Sequence, residues 1–406
     1  MAGKRTLAAA AVLLLSAPAQ AQQPRIGIEP VVLSDEPYVF DTAEQHRIKV
    51  TVVAKGFARP FAIEFLPDGD LLVMERGGDL RIIRNATAPG AAMDPAPVPG
   101  MPKLAEPTFS IGVQDIALHP DFARNGLIYF TWNEPAPMPE GANPQQRQAF
   151  FRLMRARLAD GRVSDVETLF AAGKASYAGG SRVVVAADGK VWVTTGAPFG
   201  KDAQDLASPY GKVLRFNGDG SIPPDNPFAG REGALPAIYT LGHRDQHGLT
   251  VHPETGEVFS AEHGPNGGDE VNRIKPGANY GWPDYSYGRN YDGSELTELP
   301  TGPGMEKPLI VWSPSIAPSG LLFYTGDKFP AWKGNLFIGS ARWGEIDQTG
   351  SLMRVVFGAN FGELRRERVL LQLHQRVRDV AQGPDGNIYV LTDGPENAVL
   401  RVEPTP

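Results

Sequence analysis

Two clusters in this 406-residue sequence have residue types and spacings that could do chemistry. The first is Gly264-Pro265-Asn266-Gly267-Gly268-Asp269-Glu270. Asp269 and Glu270 offer hard carboxylate oxygens, and the glycines let backbone carbonyls turn toward an ion, a donor mixture that suits calcium. An acidic pair in a Gly-rich loop would equally suit a solvated turn. The second is Arg376-Val377-Arg378. On a strand, alternate residues share a face, so both guanidinium groups would point at the same anion and could grip carboxylates bidentately. The plainer alternative is a surface ion pair with Asp379.

Other chemistries are excluded or unsupported. With no cysteine, disulfides, thiolate metal sites and a cysteine nucleophile are ruled out. There is no phosphate-cradling loop, no Gly-x-Ser-x-Gly elbow and no strand-helix glycine fingerprint for a nicotinamide. Zinc-type ligand spacing is absent. A net charge of −7 argues against nucleic-acid or anionic-membrane partners. His119 and His252 each precede a proline and read as structural, as does His243; His263 abuts the acidic loop and could face a central channel.

The elements that must position these clusters repeat along the chain. A turn rich in Asp, Gly, Asn or Pro is followed by a short β-branched or aromatic strand. The copies begin at Pro67, Arg124, Asp188, Thr255, Lys333 and Asp385. Glycine or asparagine supplies the turn geometry and branched side chains favour the strand. Long-period repetition of strand units marks a propeller or a solenoid, and 46 Gly and 37 Pro interrupt any helical period. Residues 22–45 read as an extended arm, residues 46–406 as one propeller domain, and Glu134–Gln148 and Ser286–Gly304 as insertions. At the N-terminus, Lys4 and Arg5 precede an apolar run from Leu7 to Leu15 and the small-residue site Ala19-Gln20-Ala21. The run is too short to span a bilayer and reads as a signal peptide over residues 1–21, which predicts a periplasmic or secreted protein without membrane insertion.

Beyond the repeats, Gly264–Asn272 with Gly277-Ala278-Asn279-Tyr280-Gly281-Trp282-Pro283 resembles the glucose/sorbosone dehydrogenase family. Leu118-His119-Pro120-Asp121-Phe122, Gly242-His243-Arg244 and Arg376-Val377-Arg378-Asp379-Val380 extend the match, which runs from about Asp41 to the C-terminus. The resemblance implies an all-β, six-bladed propeller of four-stranded antiparallel blades that uses pyrroloquinoline quinone (PQQ) and calcium. It implies oxidation of a sugar or aldehyde substrate, with electrons passed to an external acceptor. By the same resemblance, the carbonyls of Gly264 and Pro265 bind the calcium that touches PQQ, while Glu270 and the Tyr280 carbonyl serve a second calcium. Arg376 and Arg378, with Arg342, would cradle the three carboxylates of PQQ. Arg244 would lie beside the quinone carbonyl that receives hydride, where a fixed cation stabilises developing charge.

The sequence departs from the family where the proton must go. Relatives carry a general-base histidine at the position of Ala178, and no histidine lies between His119 and His243 to replace it. Relatives read Arg-Asn-Pro-Gln-Gly where this chain has Arg244-Asp245-Gln246-His247-Gly248, and Ser110 stands where some use glutamine. Three outcomes follow. Asp245 or His247 has taken over as base; or the propeller binds PQQ or carbohydrate with little turnover; or the site hosts other chemistry, such as calcium-assisted lactone hydrolysis.

Overall fold

A computed structural model gives residues 27–104, 110–138, 147–177 and 179–406. The expected signal peptide and Ala178 lie outside the described residues, as does part of the 134–148 insertion. Among the described residues the strands form six antiparallel sheets, with only one four-residue α-helix, Phe122–Asn125. No described helix is long and apolar enough to cross a membrane.

The six turn-strand copies are the joint between the first and second strand of each sheet. The second strands are Leu71–Glu75, Leu127–Pro135, Val191–Thr195, Val258–Glu262, Leu336–Ser340 and Ile388–Thr392. Each preceding turn turns on a glycine at positive φ: Gly69, Gly126, Gly189, Gly256, Gly334 and Gly386. A side chain is disfavoured in that conformation, so the repeat in the sequence is a repeat of backbone geometry.

The first strands line the centre. They are Pro60–Phe65, Gly112–Leu118, Val183–Val185, Gln246–Val251, Pro318–Phe323 and Val377–Gln382. Each packs against the next and the last returns to the first, which makes the molecule a six-bladed β-propeller. The ring is closed by chain ends: Arg47–Lys55 from the N-terminal side pairs with the final strand, Ala398–Thr405. Tyr38–Asp41, inside the expected arm, adds a further strand to that closing blade. The core lies between blades, as where Val50, Phe337, Leu352, Val377 and Leu400 meet.

Five of the six first strands carry a register shift near the same end, at Phe61, Gln114, His247, Ser319-Gly320 and Arg378. A bulge re-aims a side chain. Three of these residues converge on the axis: the Arg378 guanidinium lies 5.1 Å from the centre of the Phe61 ring, and the His247 ring lies 6.2 Å from it. Phe61 is fully buried between an upper site, where Arg76 and Arg378 lie 4.8 and 5.1 Å from its ring, and a lower chamber lined by Arg182, 5.7 Å from it.

Candidate functional site

Several residues of the upper site come from two kinds of position. Bulges supply Phe61, His247 and Arg378. The residues just after second strands supply Arg76, His263, Arg342 and Asp393.

One side of the site is a guanidinium cluster. Arg378 Nε donates to Asp393 Oδ2 at 2.7 Å, Arg376 Nε to Asp393 Oδ1 at 3.3 Å, and Arg76 to Asp393 Oδ2 at 3.4 Å. Arg376 precedes the strand and Arg378 sits on its bulge, yet both reach the same carboxylate. Their partner is therefore Asp393; Asp379 instead ties to Arg182 and to the Ile63 N–H. Three guanidinium groups surround one carboxylate, so the cluster carries excess positive charge. Burial, then the neighbouring Arg378, pushes Arg76 down to about 9; burial also lowers Arg378. Like-charge crowding of this kind suits a bound polyanion. Arg342 is half-buried on the loop after Leu336–Ser340, and its N–H donates to the Ile316 carbonyl. Among the described residues, no contact joins its guanidinium to this cluster.

Across the site lies the acidic loop. Asp269 is fully buried and accepts from Gly264 N–H on Oδ1, and from Ser315 Oγ, Ile316 N–H and Ala317 N–H on Oδ2. Burial pushes its carboxyl up to about 6 against those hydrogen bonds. Oδ1 closes the loop on itself and Oδ2 pins it to the next blade, so Asp269 positions the loop and does not line the cavity beside it. That cavity is about 20 Å³, room for roughly one ion or water. Its lining includes Glu262, Glu270, Gly264 and Tyr280. Asn272 Nδ2 bridges Glu262 at 2.8 Å and Glu270 at 3.1 Å. Burial, then the Glu262 charge, holds the Glu270 carboxyl well above its usual range. A buried carboxylate pair with adjacent carbonyls in an ion-sized space fits a hard divalent cation. Pro265 follows in the same loop, close against Gly288.

Arg244 packs against the acidic loop. It is buried over the Trp282 ring at 5.2 Å, and its Nη1 donates to the carbonyls of His263 (2.9 Å) and Gly264 (2.8 Å). Its N–H donates to Glu262 Oε2, while His243 stacks on Tyr280 and binds Glu262 through Nδ1.

At the floor, Asp245, His247 and His263 form a compact group. His247 Nε2 lies 3.1 Å from Asp245 Oδ1, and His263 Nδ1 lies 3.9 Å from Asp245 Oδ2. The imidazole rings stack at 4.3 Å. Asp245 Oδ1 also accepts the Gly180 N–H at 2.7 Å, which brings Gly179 and Gly180 against this group. Burial disfavours charge on Asp245, but His247, His263 and Arg244 hold its carboxyl far below the usual range. Burial pushes both imidazoles below their ordinary value. Accessibility separates their roles. The His247 side chain is 0% exposed, whereas Asp245 is 12% and His263 14% exposed. Only the latter two present side-chain surface to the channel.

Glu262, Arg76, Asp393 and Phe61 were not anticipated from the sequence. Arg76 and Asp393 each stand one residue beyond a turn-strand copy, so the repeat itself marked their positions.

The family model for Glucose / Sorbosone dehydrogenase matches residues 57–401. Aldose sugar dehydrogenase YliI of Escherichia coli is 34% identical over 367 residues, spanning 88% of this chain and 93% of that one. Quinoprotein glucose dehydrogenase B of Acinetobacter calcoaceticus is 27% identical, with 88% of each chain covered. Among solved structures, the apo form of the soluble aldose sugar dehydrogenase of E. coli superposes with a TM-score of 0.78 at 32% identity. It covers 88% of this chain and all of the other.

Proposed function

The chain belongs to the Glucose / Sorbosone dehydrogenase family, a family of oxidoreductases, and from that premise we propose an exported dehydrogenase that oxidises an aldose sugar or sugar aldehyde with PQQ and calcium. The observation that carries this reading is the excess guanidinium charge around Asp393 at the upper end of the channel.

When bound, PQQ supplies a two-electron acceptor. Arg76, Arg376 and Arg378 would hold its carboxylates, with Arg342 adding positive charge from the neighbouring loop. Calcium would take the carbonyls of Gly264 and Pro265, and a second ion would take Glu262, Glu270 and the Tyr280 carbonyl. Arg244 is positioned over Trp282 to stabilise negative charge that builds up nearby. Phe61 closes the floor and excludes water from below.

The hydroxyl proton of the substrate needs an acceptor. His263 donates Nε2–H to the Pro318 carbonyl at 2.7 Å, which leaves the Nδ1 lone pair as the acceptor. Asp245 then stabilises the imidazolium that results. His247, with no exposed side-chain surface, orients Asp245 and does not itself touch substrate. Proton acceptance thus falls to His263 and Asp245 together.

A second reading is a propeller that binds PQQ or a carbohydrate without efficient turnover. It is favoured by the Arg244 guanidinium, which occupies the Gly264 carbonyl. Reconstitution with PQQ and calcium, followed by dye-linked oxidation of a panel of aldoses, separates the two. Turnover supports the enzyme; tight PQQ binding without turnover supports the binding protein; absence of PQQ binding defeats both quinone readings. Export is tested by N-terminal sequencing of the periplasmic fraction, which should find a mature chain starting near Gln22.

A further inference from the structure

We infer that Asp245, His247 and His263 form a binding site for a divalent transition-metal ion of the zinc or cobalt class. One ligand atom from each lies within 4.8 Å of the others. In a tetrahedral site with bonds near 2.0–2.1 Å, donor atoms stand about 3.3 Å apart. The His247–Asp245 pair is already at 3.1 Å and the His263–Asp245 pair at 3.9 Å. The two distances reach different oxygens of Asp245, so a shared ion takes one carboxylate oxygen, and the stacked imidazoles must turn their lone pairs toward it.

The surroundings have the features that orient metal ligands. A ligating histidine characteristically donates its other ring N–H to a carbonyl or carboxylate, and His263 gives Nε2–H to the Pro318 carbonyl, which turns Nδ1 toward Asp245. The Gly180 N–H fixes the Asp245 carboxylate. All three residues sit on or beside the rigid ring of first strands, and the exposed edges of Asp245 and His263 give an entry path from the channel. Three protein ligands leave an open coordination position facing that channel.

Two imidazoles with one carboxylate select against calcium and magnesium, which take oxygen donors, and in favour of zinc, cobalt or nickel. Arg244, Arg76 and Arg378 oppose the positive charge of the ion, so affinity is moderated by their field. The site stands on these three side chains alone and does not depend on PQQ. It does share His263 Nδ1 with the proton acceptor named above, so ion and proton compete for that atom.

The test uses the full processed chain without PQQ, saturated with calcium to fill the Glu262–Glu270 cavity, and titrated with Co²⁺ and then Zn²⁺. The expected result is one equivalent of Co²⁺ with a visible ligand-field band, displaced by Zn²⁺. His263→Gln and His247→Gln should each weaken uptake by about 100-fold or more, beyond what loss of an outer hydrogen bond costs. Glu64→Gln, in the lower chamber, should leave uptake unchanged. Thermal melts confirm folding; if His247→Gln unfolds, His263→Gln carries the test. Absence of Co²⁺ and Zn²⁺ uptake, or uptake that persists in a folded His263→Gln protein, overturns the site. Because the readout is a metal spectrum, its failure leaves the dehydrogenase reading standing.

Discussion

The two ends of the channel are built on the same ring of strands and group their charges differently. Above Phe61, three guanidinium groups crowd one carboxylate, and Asp393 is held below its usual range despite burial by Arg378, Arg376 and Arg76. Below it, Arg182 faces Asp115 and Asp379, with Glu64 nearby, around a cavity of about 470 Å³. There burial, then neighbouring acids, pushes Glu64 up to about 8; burial, against the pull of Arg182, leaves Asp115 at about 7. Asp379 and Asp115 each accept a backbone N–H from the adjacent blade, Ile63 and Val183 respectively. The lower acids stitch the ring, whereas the upper guanidinium groups gather around Asp393. Phe61 stands between the two groups, with Arg76 and Arg378 near its ring on one side and Arg182 on the other.

The largest effect should come from removing that side chain. Phe61 touches both ends and is fully buried, so Phe61→Ala should cost about 3–5 kcal/mol in denaturant unfolding. A cost below about 1 kcal/mol would mean the ring does not close the channel. Next, His263→Gln should lower kcat by about a hundredfold or more with little change in KM, since it removes the proton acceptor and leaves the anion cradle intact. If Glu64→Gln lowers kcat as much, the two ends are not functionally distinct.

The smallest effect is a pH dependence of stability confined to the lower chamber. The folded Glu64 and Asp115 hold protons that the unfolded chain releases near pH 4–4.5. The folded state therefore binds more protons, and stability falls as pH rises from about 4.5 to 8. Glu64→Gln should flatten that fall, gaining about 1–2 kcal/mol relative to the parent at pH 8, after discounting for water in the chamber. Parallel pH–stability curves for parent and variant would contradict the raised carboxyl. Calcium offers a matched check on the upper end. Saturating ion should raise the melting temperature, by the equivalent of about 2–3 kcal/mol at a hundredfold excess over Kd. Glu270→Gln should reduce that gain.

Much of the ring was legible because its turns need glycine at positive φ, which leaves a mark every blade. The loop at Gly264 and the arginines at 376 and 378 were legible by type and spacing. What stayed hidden depends on closure of the ring. Asp393 meets Arg76 across more than 300 residues of chain, and Glu262 joins Glu270 only once two strands pair. Much of the role of Asp269 was hidden for the same reason: the donors to its Oδ2 lie on the next blade, and only the Gly264 N–H on Oδ1 is local. The burial of His247 follows from a bulge, which alternation along a strand does not reveal.

The most direct test of a cationic upper end built for a flat polyanion is an equilibrium titration of the calcium-loaded protein with PQQ, followed by fluorescence. Saturable one-to-one binding should appear, with Arg376→Ala and Arg378→Ala each weakening it about tenfold to a hundredfold while the fold persists. Binding indifferent to both substitutions, or no binding by the folded parent, would contradict it.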